Sequence, residues 1–171
     1  MSWEQILEFT IDAAAFALPI GFIFLFFRFL WKRGKLEWKR ESLLGLFVTY
    51  LAALLKITAI RQADWSVLLQ YHSMEGVQLT PLLYTLRELS NGLWAFLYPV
   101  MGNLIWFVPL GFFLCLLRKE MSGTRVLWIS AGLSLSIELS QWLLQTGVSD
   151  IDDVIFNSLG GLLGWWLCVA L

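Results

Sequence analysis

The sequence predicts an all-α membrane protein, a polytopic helical bundle with about five transmembrane helices. Two observations support this fold class. Of the 171 residues, 58% are hydrophobic and 16% aromatic, with a mean hydropathy of +0.71. The apolar residues also gather in stretches long enough to cross a bilayer, which takes about 20 residues of α-helix. Such a composition leaves too little polar surface for a soluble globular domain.

Five apolar stretches satisfy this length requirement, near residues 11–31, 42–60, 96–117, 125–146 and 151–171. The first follows acidic rather than basic residues, and no small-residue cleavage site follows it. We therefore expect it to be retained as a helix and not removed as a signal peptide. Because no linker or low-complexity tract divides the chain, we expect one membrane domain over residues 1–171.

The basic residues are sorted by loop, which predicts the orientation. The first and third predicted loops hold most of them: Lys32, Arg33, Lys35, Lys39, Arg40, Arg118, Lys119 and Arg125. The positive-inside rule makes these loops cytoplasmic, with the N-terminus outside and the C-terminus inside. A net charge of -1 and the lack of a basic tail give no indication of a nucleic-acid partner, so membrane lipids are the expected surroundings.

The predicted second loop, residues 61–95, is too long for a simple turn and has leucines at helical spacing. We expect a short interfacial helix starting near Thr80 and Pro81, with Thr80 as its N-cap, in a segment that forms an outer lid. His72 has no second His or Cys nearby, which favours a surface side chain over a zinc ligand.

The two cysteines, Cys115 and Cys168, lie toward the helix ends assigned to the cytoplasm and show no ligand spacing. Cytoplasmic thiols usually stay reduced. We therefore expect both to fill space as free thiols.

Polar residues form stripes on three of the predicted spans. In the fourth span the stripe recurs every three or four residues and so occupies one helical face: Ser130, Ser134, Glu138, Gln141 and Gln145. The fifth span carries Asp150, Asp153, Asn157, Gly160, Gly161 and Gly164 at similar spacing, and the third span carries Asn103. Short connections favour contact between these spans, so we expect the stripes to form one polar pocket that opens outward.

Ionisable groups near hydrocarbon are costly and usually functional, which makes Glu138 and Asp153 the candidate catalytic residues. The candidate substrate-binding residues are Asn103, Gln141, Asp150 and Asn157. Crowded carboxyl groups suit acid/base chemistry. Their oxygens also suit a hard divalent cation, although the spacing matches no dedicated metal loop, so the identity of any metal or cofactor stays open.

Structural explanations are also available for parts of this pattern. Acids in the first turn of a helix, such as Asp150 and Asp152, cap its free N–H groups. Gly160 and Gly164 form a small-x-x-x-small pattern that lets two helices pack closely.

Three segments in order, NLIWFVPLG from Asn103, SLSIELSQ from Ser134 and DIDDVIFNSLGG from Asp150, resemble the VanZ-like family. The resemblance covers residues 76–171 and is specific when all three segments occur together. It implies a small bacterial membrane protein of a family associated with low-level resistance to the glycopeptide teicoplanin.

Three functions remain open at this point. The first is a cell-envelope protection protein whose pocket binds a lipid-linked cell-wall precursor or a glycopeptide. The second is a membrane enzyme acting on a lipid-linked envelope substrate. The third is a non-catalytic scaffold or transporter subunit in which the polar stripes only pack helices together. The sequence decides neither turnover nor oligomeric state.

Overall fold

The computed structural model describes residues 3–32, 37–60, 65–69 and 76–171. Six α-helices occur there: α1 Trp3–Trp31, α2 Trp38–Thr58, α3 Leu83–Arg87, α4 Leu93–Leu117, α5 Gly123–Leu144 and α6 Ile151–Ala170. Two 3-10 turns, Trp65–Leu69 and Glu88–Asn91, and two short strands, β1 Val77–Gln78 and β2 Ser149–Asp150, complete the elements. The all-α prediction is confirmed, whereas His72 lies outside the described residues.

Five of these helices are long and apolar enough to cross a membrane: Leu7–Trp31, Trp38–Thr58, Leu93–Leu117, Gly123–Leu144 and Ile151–Ala170. Large apolar side chains are widely exposed on them, for example Phe22 at 78% and Trp128 at 71%. So much exposed apolar surface marks a membrane or protein contact. The prediction of a multi-pass membrane protein is confirmed.

The chain forms two compact units, Met1–Arg61 and Gln62–Leu171. The first is a hairpin of α1 and α2 held by a buried carboxylate. Glu41, which is 2% exposed, accepts hydrogen bonds of 2.8 Å from Nε and Nη2 of Arg28 and a further one from Lys32. Arg28 and Lys32 both pair with this one buried acid, so the hairpin contains an ionic cluster in which the carboxylate is neutralised. The single membrane domain expected for the whole chain stays a prediction.

In the second unit, α6 packs against α4 and α5. Glycines make the approach to α4 very close: a Cβ on Gly164 would lie 1.9 Å from the carbonyl oxygen of Val108, and one on Gly160 would lie 2.3 Å from that of Leu104. No larger residue fits there without separating the backbones. The interpretation of the glycine stripe as a helix-packing seam is confirmed.

The packing of α6 against α4 also makes the prediction for the cysteines wrong. Cys115, near the end of α4, and Cys168, near the end of α6, form a disulfide with their Cα atoms 6.3 Å apart. Expecting two separate thiols was wrong. The residues are 53 positions apart in sequence, and only the alignment of α4 with α6 brings them together.

Candidate functional site

The first turn of α6 is held against the C-terminal part of α5. β1 and β2 pair in parallel, with Val77 opposite Ser149. The Ser149 hydroxyl donates a 2.7 Å hydrogen bond to the carbonyl of Glu138, and the backbone N–H of Asp150 donates a 2.8 Å bond to Glu138 Oε2. Glu138 is only 5% exposed. Its carboxyl group is therefore fixed in place at the point where β2 passes into α6.

Asp150 is the N-cap of α6. Its side chain accepts a 2.9 Å hydrogen bond from the N–H of Asp152, as the capping interpretation predicts. Burial raises the pKa of the Asp150 carboxyl above its ordinary value; the hydrogen bond from Asp152 opposes this shift, and the Asp152 charge adds to it. Capping thus keeps a half-buried acid close to Glu138.

Asp152 connects α6 to the segment that precedes α4. It is 1% exposed and accepts hydrogen bonds from the backbone N–H of Leu82, at 2.7 Å, and from the hydroxyl of Thr85. Leu82 has a left-handed φ of 60°, which is unfavourable for a leucine, and its bond to a carboxylate helps to hold it there.

This contact corrects the prediction for α3. A short helix is present, but it begins at Leu83 and its N-cap is Leu82, not Thr80. The N-cap makes no side-chain capping bond. A carboxylate 70 residues away receives the Leu82 N–H instead, and local sequence cannot show that.

The polar stripes of α4, α5 and α6 meet in a buried network. Asn103 Nδ2 donates to Asp153 Oδ1, and Asn157 Nδ2 donates a 2.8 Å bond to Ser134 Oγ. Ser134 in turn lies 3.5 Å from the Asp153 carbonyl, to which it donates. Asn157 Oδ1 is buried and has no hydrogen-bond partner among the residues described. Asn103, Asp153 and Asn157 thus come together between three helices.

A separate groove of about 300 Å³ lies beside this network. Its walls are mostly apolar: Val77, Leu79, Leu135, Glu138, Leu139, Trp142, Ser149, Asp150, Ile151 and Val154. Two of the predicted site residues, Glu138 and Asp150, are among these lining residues, although the surface open to the groove is apolar. Leu135 and Leu139 are 59% and 53% exposed, so the groove opens along the apolar face of α5.

The expected single polar pocket is therefore divided in two. Asn103, Asp153 and Asn157 form the buried network, and none of them lines the groove. Gln141 lies in the last turn of α5, and its Cδ is 3.6 Å from the place that a Cβ on Gly147 would occupy. Glu138 and Asp150 are the predicted site residues that line the apolar groove.

Comparison with known proteins identifies the family. The model of the VanZ/LLP1 family matches residues 47–171. The chain belongs to the VanZ/LLP1 family. Protein VanZ of Enterococcus faecium is 31% identical over 123 residues, covering 70% of this chain and 69% of that protein. No solved structure matches. The VanZ/LLP1 match begins within α2, upstream of the resemblance predicted over residues 76–171, and includes the whole candidate site.

Sequence reasoning missed several residues that build the site in this VanZ/LLP1 protein. Thr85 and Ser149 lie on short segments with no pattern that connects them to α6. Asp152 was assigned only to capping, although it receives two bonds from the α3 segment. Asp152 lies two residues after the N-cap Asp150 and is not on the helical face of the polar stripe. This position indicates that its side chain points toward another element.

Among the described residues, no group of three or more His, Cys, Asp or Glu side chains is arranged to hold a metal ion. The available chemistry is that of carboxyl groups beside an apolar surface. A carboxylate there can accept hydrogen bonds from a ligand or exchange a proton with it.

Proposed function

We propose that this VanZ/LLP1 protein is a cell-envelope protection protein that binds a lipid-linked cell-wall precursor in the groove beside α5. The observation that carries the proposal is that Glu138, a residue with 5% exposure, lines a groove whose open surface is apolar. Such a combination suits an amphiphile, since one part of the ligand is apolar and another can donate hydrogen bonds.

The apolar part of the ligand has a direct route into the groove. Leu135 and Leu139 lie on the exposed face of a helix that can span the membrane. A lipid chain moving along that face enters the groove without leaving an apolar environment, so little water has to be displaced. A volume of about 300 Å³ is near the lower limit for small-molecule sites, which fits the junction between a lipid chain and its head group.

The polar part of the ligand meets a fixed acceptor. The N–H of Asp150 donates a hydrogen bond to Glu138 Oε2, which fixes the orientation of the carboxyl group before a ligand binds. Hydroxyl, amide and ammonium groups of a precursor head group are suitable donors to a carboxyl oxygen. Preorganisation of this kind lowers the cost of binding.

The orientation predicted from the basic loops places this end of the helices outside the cell, where cell-wall precursors are used. The family's association with teicoplanin supports protection against glycopeptides of that type. On this proposal, occupancy of the groove reduces the drug's access to its lipid-linked target.

A membrane enzyme acting on the same lipid-linked substrate is the second candidate. It is favoured by one observation: Glu138 and Asp150, two residues with carboxyl groups, are joined by the hydrogen bond from the Asp150 N–H to Glu138 Oε2. Neighbouring carboxyl groups suit general acid/base catalysis. The enzyme differs from the binding protein in releasing a chemically altered lipid, which mass spectrometry of extracted lipids detects.

The test is susceptibility to teicoplanin and to vancomycin in a sensitive bacterium that expresses the protein, with membrane levels checked by blot. Glu138→Gln replaces the carboxyl group with an amide of nearly the same volume, and we expect it to abolish most of the protection. Leu139→Trp fills the groove from an exposed position and should do the same while the protein stays folded. Glu88→Gln, a half-buried acid outside the groove, is the matched control.

Each result has a definite meaning. If wild type gives no protection against either drug, the resistance proposal is wrong. If both groove variants protect as well as wild type, the groove is not the site. Binding of a purified lipid-linked precursor, measured in nanodiscs, should weaken about 2- to 10-fold in Glu138→Gln, because a hydrogen bond contributes about 0.5–1.5 kcal/mol.

A further inference from the structure

A second candidate site lies at the N-terminal end of α5, whereas Glu138 lies toward its C-terminal end. The residues that join α4 to α5 form a cleft of about 830 Å³. Three cations line it, Arg118, Lys119 and Arg125, together with the acid Glu120. We propose that this cleft binds the phosphate head group of an anionic phospholipid. The proposal is independent of the function assigned to the Glu138 groove.

The charge balance of this cleft differs from that of the α1–α2 hairpin. Within the described residues, no carboxylate forms an ion pair with Arg118, Lys119 or Arg125. The basic residues at the end of α1 differ in this respect, since Arg28 and Lys32 are both bound to Glu41. After allowance for Glu120, the cleft keeps a net positive charge that can attract an anion.

The apolar part of the cleft indicates a lipid rather than a free anion. Trp128 and Ile129 line the same cleft and are 71% and 41% exposed. Trp128 is five residues from the first residue of α5, Gly123, or about 7.5 Å along the helix axis. Tryptophan at that depth is typical of the head-group region of a bilayer. A phospholipid can place its phosphate among the cations and its chains along Trp128.

The cleft is also held in shape by its contacts with α6. Trp165 Nε1 donates a 2.7 Å hydrogen bond to the carbonyl of Met121. A Cβ on Gly123 would lie 2.9 Å from the Trp165 ring, so the start of α5 packs closely on that side chain. The connection between α4 and α5 therefore holds its cations in place before a ligand arrives.

Quenching of Trp128 by brominated lipid tests this inference. The intact protein is reconstituted in phosphatidylcholine bilayers that contain a small fraction of chain-brominated phosphatidylglycerol or, separately, chain-brominated phosphatidylcholine. The contribution of Trp128 is the difference between wild type and Trp128→Phe. We expect phosphatidylglycerol to quench this contribution at a severalfold lower mole fraction, and equal quenching by the two lipids overturns the proposal.

Variants then assign the preference to the cleft. Arg118→Gln with Arg125→Gln should weaken the preference about fivefold for each cation removed. Lys39→Gln with Arg40→Gln, which removes two exposed cations from the start of α2, should leave it unchanged. A preference that survives the first pair, or falls equally in both pairs, contradicts a local site. Displacement of the lipid by inorganic phosphate, but not by sodium chloride of equal ionic strength, would assign the cleft to free phosphate instead and overturn the lipid assignment.

Discussion

Replacing Gly164 by alanine tests the close packing of α4 against α6. The new Cβ would lie 1.9 Å from the carbonyl oxygen of Val108, 2.8 Å from its carbonyl carbon and 3.0 Å from the amide nitrogen of Phe112. A carbon and a carbonyl oxygen normally stay at least about 3.3 Å apart, so the two helices must separate by roughly 1.4 Å. All three obstructing atoms belong to backbone, which no side-chain rotation can remove.

We expect this overpacking to cost about 1–3 kcal/mol. For a protein of this size, 1 kcal/mol corresponds to about 2–4 °C in Tm, so Gly164→Ala should lower Tm by about 2–12 °C. The assay is thermal unfolding of the purified protein in detergent.

Gly132→Ala is the matched control, because a Cβ there meets nothing within 4 Å. It should be neutral or slightly stabilising, since alanine is favoured over glycine in a helix by up to about 1 kcal/mol. If Gly164→Ala is as stable as Gly132→Ala, the packing of α6 against α4 is not as close as we describe.

Three further predictions concern the buried and half-buried carboxyl groups. Asp152→Asn should speed hydrogen exchange across residues 83–91, since it removes a charged acceptor contributing about 1.5–3 kcal/mol; unchanged exchange there would contradict the anchoring role. Asp150→Asn keeps a good N-cap but removes an acid whose pKa is raised by burial. A raised pKa means that its stabilising contribution is present below the ordinary pKa near 4 and is lost as the pH rises through the shifted value. Across a Tm series from pH 4 to 8, wild type should therefore lose stability relative to Asp150→Asn, and parallel curves would refute this. Glu41→Gln should destabilise the protein by about 1.5–3 kcal/mol in thermal unfolding, whereas the exposed Glu37→Gln should not, and equal effects would show that the ionic cluster does not support the hairpin.

The family and the membrane class could be predicted because their signals are local. Apolar stretches of about 20 residues identify spanning helices one at a time. The ordered segments around Asn103, Glu138 and Asp153 carry the family pattern in the letters themselves. Helical spacing also predicts that Asn103, Asp153 and Asn157 meet, because residues three or four apart share a face and short loops join neighbouring helices.

The division of the site could not be predicted in the same way. Helical spacing predicts that Glu138 lies beside Asp153. It does not predict the two short strands, which bring Asp150 into hydrogen-bond contact with Glu138. Parallel pairing of β1 with β2 joins segments about 70 residues apart, and two residues are too few to show a strand pattern.

By itself, then, the sequence determined the class of protein, the number of spanning helices, the family and the residues that make up the polar stripes. The tertiary structure decided which of those residues line the groove and which form hydrogen bonds between helices. It also decided that Cys115 meets Cys168. The physical reason is that hydropathy and helical period act along one helix. Groove shape, pairing and alignment depend on how closely two backbones approach, and between α4 and α6 one point of close approach is the contact of Gly164 with Val108.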